Sequence, residues 1–85
     1  MEKYPYLNDA VAAVLSRRRA ELAMSKKKLS ELAMIERAYI SGLEAGKWNA
    51  TLNVLYYLCE ALDMEPAEFF RAVEEERASL SEKKP

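Results

Sequence analysis

The 85-residue sequence contains no histidine, a single cysteine and only two glycines. Without histidine, the chain has no imidazole to act as an acid, a base or a zinc ligand, which excludes Ser–His and Cys–His catalysis and most zinc sites. The two glycines, Gly42 and Gly46, are too few for a glycine-rich loop around a phosphate. We therefore expect a protein that is not an enzyme and that holds no metal and no other cofactor.

Long apolar runs and paired cysteines are also missing. The lone Cys59 excludes an internal disulfide, and its place in an apolar helical run favours a buried thiol that acts as a small hydrophobic side chain. No apolar run is long enough to span a bilayer, and no signal peptide opens the sequence. These features predict a small cytoplasmic domain without a membrane partner.

The apolar residues recur at helical spacing, and the breaks between them predict five helices. The expected ranges are 9–23, 26–33, 37–44, 52–62 and 66–77. Asn8 is expected to cap the first helix, with Asp9 in its first turn, where a negative charge suits the helix dipole. Residues 1–78 are interpreted as a single domain, in which residues 1–7 precede the first helix. The polar residues 79–85 are interpreted as a disordered tail.

One stretch, residues 25–44, predicts two short helices joined by a tight turn. Its apolar residues are expected on the inner side: Leu29, Leu32, Ala33, Ile40 and Leu43. The second helix presents Arg37, Ala38, Ser41 and Gly42 outward, on a face without a large apolar side chain. This pattern predicts a helix-turn-helix.

The ends of these helices carry their own signals. Ser25 and Thr51 are good N-caps for the second and fourth helices, whereas Glu36 is a poor one for the third. Met34 is expected in the left-handed conformation at a cost of about 1–2 kcal/mol. Gly46 is placed to end the third helix as a left-handed residue.

Charge is distributed unevenly although the net charge is only −1. Residues 16–48 contain eight basic and four acidic residues, while residues 49–85 contain four basic and eight acidic residues. A basic middle and an acidic C-terminal third are typical of a protein with one side that faces DNA. Two solvated helix faces are the alternative interpretation.

The order and spacing of three segments resemble the lambda-repressor-like, or Cro/C1-type, helix-turn-helix family. These segments are residues 39–47, 49–52 and 58–64. The resemblance covers about residues 7–70. Within the family, residues 37–44 look most like the controller proteins of restriction–modification systems, which are small stand-alone dimeric regulators. The chain departs from the family pattern at Met34, which replaces a turn glycine, at Glu36, which replaces a capping serine or threonine, and at Lys26, where glutamine is frequent.

The resemblance implies an all-α, five-helix fold and a sequence-specific transcription regulator that binds a palindromic operator as a homodimer. The third helix would lie in the major groove of double-stranded DNA and read bases through Arg37, Ala38, Ser41 and Gly42. Phosphates would be bound by Ser25, Lys26, Tyr39, Lys47 and Asn49. The planar guanidinium of Arg37 matches O6 and N7 of guanine, the commonest specific contact. The alternative for Arg37 is a surface arginine paired with Glu36 or Ser41.

Several of these residues have a second interpretation. Tyr39 either reaches a phosphate or packs on the second helix, and Trp48 either covers a sugar edge or, as we favour, packs on its loop. Gly42 either allows a close approach to the groove or has no special role. Glu44 resembles the structural acid of the family, which is expected to hold the loop or the first helix.

In the controller-like interpretation, the two-fold interface of the homodimer comes from the end of the fourth helix and from the fifth. The candidate interface residues are Tyr57, Met64, Phe69, Phe70 and Val73. A competing hypothesis is a protein-interaction module, such as an antitoxin-like subunit that uses the same fold to hold a protein partner.

Overall fold

The computed structural model describes residues 4–83, which form five α-helices. They are α1 (Leu7–Glu21), α2 (Lys26–Ala33), α3 (Arg37–Glu44), α4 (Leu52–Ala61) and α5 (Pro66–Lys83). α1 packs against α3 and α5, α2 packs against α3 and α4, and α4 packs against α5. The predicted all-α architecture is confirmed. Among the described residues, no helix combines the length and the apolar character needed to cross a membrane.

The core is built from one apolar face of every helix. Its buried members are Ala10, Val14, Leu15, Leu29, Ala33, Ile40, Leu43, Leu55, Leu58, Cys59, Leu62, Phe69 and Val73. The expected burial of Cys59 is confirmed. The prediction for Leu32 is wrong, because its side chain is 49% exposed while Leu29 and Ala33 carry the contact of α2 with the core. In a helix of two turns, residues three and four positions apart lie close together on the same side. The spacing alone therefore does not show which of them face the core.

α1 begins at Leu7, two residues before the predicted start. Asn8 is therefore not the cap. The cap position is held by Tyr6 in the left-handed conformation, with φ of 63°, and its carbonyl accepts the N–H of Ala10 at 2.8 Å. Asp9 lies in the first turn, as predicted.

Four helices end with a left-handed residue followed by a backbone hydrogen bond that closes the last turn, the arrangement known as the Schellman motif. The left-handed residues are Ala23, Met34, Gly46 and Asp63. The closing bonds join the N–H groups of Met24, Ile35, Lys47 and Met64 to the carbonyls of Arg19, Ser30, Gly42 and Cys59. The predictions for Met34 and Gly46 are confirmed. The left-handed Ala23 explains why α1 ends at Glu21, two residues before the predicted end.

α5 continues to Lys83, six residues beyond the predicted end at 77. The expectation of a disordered tail is wrong for residues 79–83, and residues 84–85, like residues 1–3, lie outside the described part. Contacts of two residues, Leu80 and Arg77, explain the longer helix. Leu80 packs against the core, and Arg77 lies 5.3 Å from the centre of the Tyr4 ring while its Nε donates to the Pro5 carbonyl at 3.4 Å.

Candidate nucleic-acid interface

The turn between α2 and α3 sets the direction of α3. Ser25 caps α2 as predicted, because its hydroxyl accepts the N–H of Lys28 at 2.9 Å. At the other end of α2, the left-handed Met34 is followed by Ile35, whose N–H donates to the Ser30 carbonyl at 3.1 Å. The Ser30 hydroxyl also donates to the Ile35 carbonyl, a second bond that the sequence did not predict. Glu36 makes no side-chain bond as the N-cap of α3, so the turn is held by Ser30 and by the left-handed residue.

The two faces of α3 have opposite characters. Ile40 and Leu43 are almost fully buried and hold the helix against the core. Arg37 and Ala38 are exposed, and Ser41 is partly exposed. Residue 41 lies four positions after residue 37 and three positions after residue 38, so all three share one side of the helix. Neither Glu36 nor Ser41 binds Arg37, and no other described residue forms a hydrogen bond or an ion pair with it.

The basic residues divide into two groups. The arginines of α1 bind other residues of the same chain. Arg17 pairs with Glu76, Arg18 donates to the carbonyls of Leu62 and Asp63, and Arg19 pairs with Glu44. The remaining cations of the basic middle have no ion pair with any described residue: Lys26, Lys27, Lys28, Arg37 and Lys47. All of these unpaired cations lie on α2, on α3 or in the loop after α3, so the free positive charge is concentrated on the helix-turn-helix.

Glu44 connects the end of α3 to α1 through an ion pair and hydrogen bonds. Its carboxylate accepts two bonds from Arg19, at 2.8 Å from Nε and 2.9 Å from Nη2, and one from the Ser16 hydroxyl at 3.0 Å. Burial alone would raise the pKa of Glu44, but the bonds from Arg19 and Ser16 and the positive charges of Arg19 and Lys26 lower it overall. The expectation that Glu44 holds the first helix is confirmed. Its partners were not predicted, because three successive arginines in α1 point in different directions.

The loop after α3 is held by aromatic side chains. The Tyr39 hydroxyl donates to the Asn49 carbonyl at 3.1 Å, and the Tyr39 and Trp48 rings meet edge to face with their centres 5.4 Å apart. A phosphate contact through the Tyr39 hydroxyl would require that bond to be released. The indole of Trp48 lies directly over Gly42, where a β-carbon would stand 2.7 Å from Cδ2. Trp48 packs as favoured, but on Gly42 and Tyr39 of α3 rather than on its own loop, and Gly42 has a packing reason to be glycine.

The other predicted phosphate contacts lie at the start of α2 and in the loop after α3. Ser25 and Lys26 begin α2, which packs on α3, and the charge of Lys26 is felt by Glu44 at the end of α3. Lys47 and Asn49 belong to the loop after α3, and both side chains are exposed. The candidate phosphate contacts therefore lie on two elements next to α3, at the start of α2 and in the loop after α3.

The residues predicted for the dimer interface differ in their burial. Phe69 and Val73 are buried in the core of the single chain and are not available for an interface, which corrects that prediction. α5 must bury one face against α1 and α4, and Phe69 and Val73 lie on that face. Tyr57 and Phe70 are exposed, and Met64 is partly buried beside the core. The exposed side chains of Leu52 and Tyr56 add to the apolar surface of α4.

Comparison with known proteins agrees with this geometry. Residues 14–75, more than half of the chain, match the Cro/C1-type HTH DNA-binding domain family. The restriction-modification controller protein C.Esp1396I, solved as a tetramer in complex with its natural 35 base-pair operator, is similar at 27% identity with a TM-score of 0.81, covering 88% of this chain and 99% of that chain. The structure of the wild-type controller protein also matches, at 27% identity with a TM-score of 0.79, covering 86% of this chain and 95% of that chain.

A second regulator matches over more of the chain. The clp gene regulator ClgR from Corynebacterium glutamicum is 25% identical with a TM-score of 0.88, covering 95% of this chain and 86% of that chain. Comparison with curated protein sequences gives no match. The five-helix fold, the exposed face of α3 and the family match agree with one another. The chain belongs to the Cro/C1-type helix-turn-helix family and is a DNA-binding regulator of that type.

Proposed function

We propose that this protein is a controller-like transcription regulator that binds a palindromic operator as a homodimer and reads it with α3. The observation that carries the proposal is the distribution of charge. Within residues 4–83, the cations of the basic middle that lack an ion pair all lie on α2, α3 and the following loop. A similar protein, C.Esp1396I, was solved on its operator DNA.

Base reading is assigned to Arg37, Ala38 and Ser41. Arg37 stands at the first position of α3 with its guanidinium unpaired, so it is free to donate both N–H groups of its fork to guanine. Ala38 offers a methyl contact to thymine, and Ser41 offers a short hydroxyl. Gly42 is left out of the reading set, because the Trp48 indole covers the position of its missing side chain.

Phosphate binding is assigned to residues at the start of α2 and in the loop after α3. Lys26 at the start of α2 and Lys47 after α3 supply the charge, while Ser25 and Asn49 supply polar groups that set the register. Tyr39 contributes indirectly through its bond to the Asn49 carbonyl. Each lysine or arginine that neutralises a phosphate makes the affinity fall more steeply with salt.

One α3 reads only a few base pairs, so a palindrome requires two copies of the chain. The interface is assigned to Tyr57 and Phe70, which are exposed apolar side chains of α4 and α5, and to the partly buried Met64. A substantial share of the acidic residues lies on α5, which packs on α1 and α4. A dimer built through these helices keeps the acidic surface apart from the reading face.

The proposal is tested by selecting a preferred site from a pool of random duplexes and then measuring affinity for that site and for a scrambled duplex. We expect Arg37→Ala to lose about 1–3 kcal/mol of discrimination, roughly a 5- to 150-fold change, while weak nonspecific binding remains. Arg71→Ala is the matched control, because Arg71 is also exposed and has no ion pair with another described residue, but lies on α5. Equal discrimination by Arg37→Ala and the wild type would refute the assignment of α3.

The dimer is tested by sedimentation equilibrium over a range of concentrations. Phe70→Ala is expected to shift the chain towards monomer, because the 38% exposed ring of Phe70 contributes to the proposed interface. Leu32→Ala is the control, since Leu32 is a similarly exposed side chain on α2. A wild-type monomer that binds no duplex at low salt, but purifies with a stoichiometric protein partner, would favour the antitoxin-like alternative.

A further inference from the structure

The loop 45–51 contains no helix, yet it carries Lys47 and Asn49, two of the proposed phosphate contacts. Its beginning is fixed by the N–H of Lys47, which donates to the Gly42 carbonyl at 3.0 Å. Its middle is fixed by the Asn49 carbonyl, which accepts the Tyr39 hydroxyl at 3.1 Å. Between these two bonds, the side chain of Trp48 is the part of the loop that contacts α3.

The indole of Trp48 packs on the backbone of Gly42, which has no side chain, and this contact is called the seat of Trp48. A β-carbon on residue 42 would stand 2.7 Å from Cδ2 and 2.8 Å from Cε3 of the indole, closer than side-chain carbons approach one another. The indole also meets the Tyr39 ring edge to face, with ring centres 5.4 Å apart at an interplanar angle of 67°. Any residue other than glycine at 42 would therefore displace the indole or distort α3.

We propose that Trp48 is a positioning residue for DNA binding: its indole, seated on Gly42 and against Tyr39, holds Lys47 and Asn49 where they meet the phosphates beside the site read by α3. This inference rests on the proposed function. Without the indole, the stretch 47–49 keeps the backbone bond from Lys47 to Gly42 and the exposed bond from Tyr39 to the Asn49 carbonyl, which water can replace. Lys47 would then spend part of its time away from the backbone of the duplex, while Arg37 keeps its place on α3.

The geometry is tested without DNA, through the fluorescence of the only tryptophan in the chain. The indole is 49% exposed when seated. Gly42→Ala is expected to shift its emission to longer wavelength, because the new β-carbon displaces the ring into water. Ser41→Ala is the control at a neighbouring position of α3, and its emission is expected to match the wild type. Unchanged emission in a folded Gly42→Ala variant would overturn the seat.

The role in DNA binding is tested by the salt dependence of affinity. Lys47→Ala is expected to reduce the slope of log affinity against log salt by about 0.9 per protomer, the contribution of one phosphate contact. Trp48→Ala is expected to reduce the slope by a similar amount while keeping the ratio of specific to nonspecific affinity. The double variant is expected to lose no more than either single variant, because both remove the same contact.

The outcomes separate this inference from the proposed function. A wild-type protein that binds no duplex refutes the proposed function, while the fluorescence of Gly42→Ala still reports on the seat. A wild type that binds DNA, with the slope unchanged in folded Trp48→Ala or with additive losses in the double variant, overturns the positioning role. Trp48→Phe is the conservative variant and is expected to restore part of the slope. If Trp48→Ala does not fold, Gly42→Ala provides the same displacement with the indole present.

The same variants distinguish the two explanations of Gly42. If Gly42 only seats the indole, Gly42→Ala is expected to have no effect on affinity in the Trp48→Ala background. If Gly42 instead allows the helix to approach the groove floor, the added methyl group weakens specific binding in both backgrounds. A loss of discrimination in both backgrounds would overturn the seat as the reason for glycine at this position.

Discussion

Replacing Met34 with glycine is expected to stabilise the protein, and the expectation follows from the backbone of the turn. Met34 has φ of 57° and ψ of 42°, the left-handed conformation. A side chain in this conformation costs about 1–2 kcal/mol. Glycine avoids that cost but loses about 0.4–1 kcal/mol through the greater freedom of the unfolded chain. The Met34 side chain is 91% exposed, so its removal gives up almost no burial.

The net gain is therefore about 0.8 kcal/mol, with a span of roughly 0 to 1.6 kcal/mol. For a domain of this size, that corresponds to a rise of about 3–6 °C in the melting temperature. The measurement is thermal and chemical denaturation followed by circular dichroism, at several protein concentrations so that dimer dissociation is separated from folding. The denaturant slope is expected to stay constant, because the surface exposed on unfolding hardly changes.

Met34→Ala is the matched control. It removes the same exposed side chain but keeps the β-carbon, so its stability is expected to lie within about 0.5 kcal/mol of the wild type. If alanine stabilises the protein as much as glycine does, exposure of the methionine is the cause and the conformational argument is refuted. A loss of stability in Met34→Gly would show that the residue is not left-handed in solution.

Further predictions concern the core and the ion pair. Phe69→Ala is expected to cost about 3–5 kcal/mol in chemical denaturation, because the ring is fully buried. Glu44→Gln is expected to cost about 1.5–3 kcal/mol, since it removes the charged acceptor of Arg19. Because the pKa of Glu44 is lowered from its ordinary 4.5, its contribution is present above that pH and is lost as the pH falls below it, so Glu44→Gln should show a flatter acid-denaturation profile than the wild type. Burial and the charge of Glu68 raise the pKa of the Cys59 thiol, so a thiol reagent at pH 8 is expected to label it at the rate of unfolding rather than at the rate of a free thiol.

Helix order and the core were predictable because both depend on local signals. Ser25 and Thr51 cap α2 and α4 as their side chains suggest, and Gly46 ends α3 in the left-handed conformation. The ends of α1 were missed because Tyr6 and Ala23, which are not glycine, adopt the left-handed conformation, whereas the end of α5 depends on contacts distant in sequence. α5 continues past residue 77 because Arg77 reaches the Tyr4 ring and the Pro5 carbonyl, more than seventy residues away.

The candidate site was predictable where a residue's role follows from its place on a helix. Arg37 and Ala38 are exposed on α3, as the spacing of its apolar residues indicates. Roles that depend on how two helices pack against each other were not predictable in the same way. Phe69 and Phe70 are equally apolar neighbours, yet one is fully buried and the other 38% exposed, because only the packing of α5 against α1 and α4 decides which face turns inward.

The turn at Met34 joins stability to function, and Met34→Gly tests this connection. The hydrogen bonds that set the direction of α3 come from Ser30 and the backbone of Ile35, and neither depends on the methionine side chain. Glycine adopts the left-handed conformation readily, so α3 should keep its direction while the fold gains stability. We expect Met34→Gly to bind the selected duplex with the affinity, salt slope and discrimination of the wild type. Ser30→Ala removes the bond to the Ile35 carbonyl and is expected to weaken discrimination, because the turn then no longer fixes the position of Arg37. Equal loss in both variants would show that the methionine side chain itself touches the DNA.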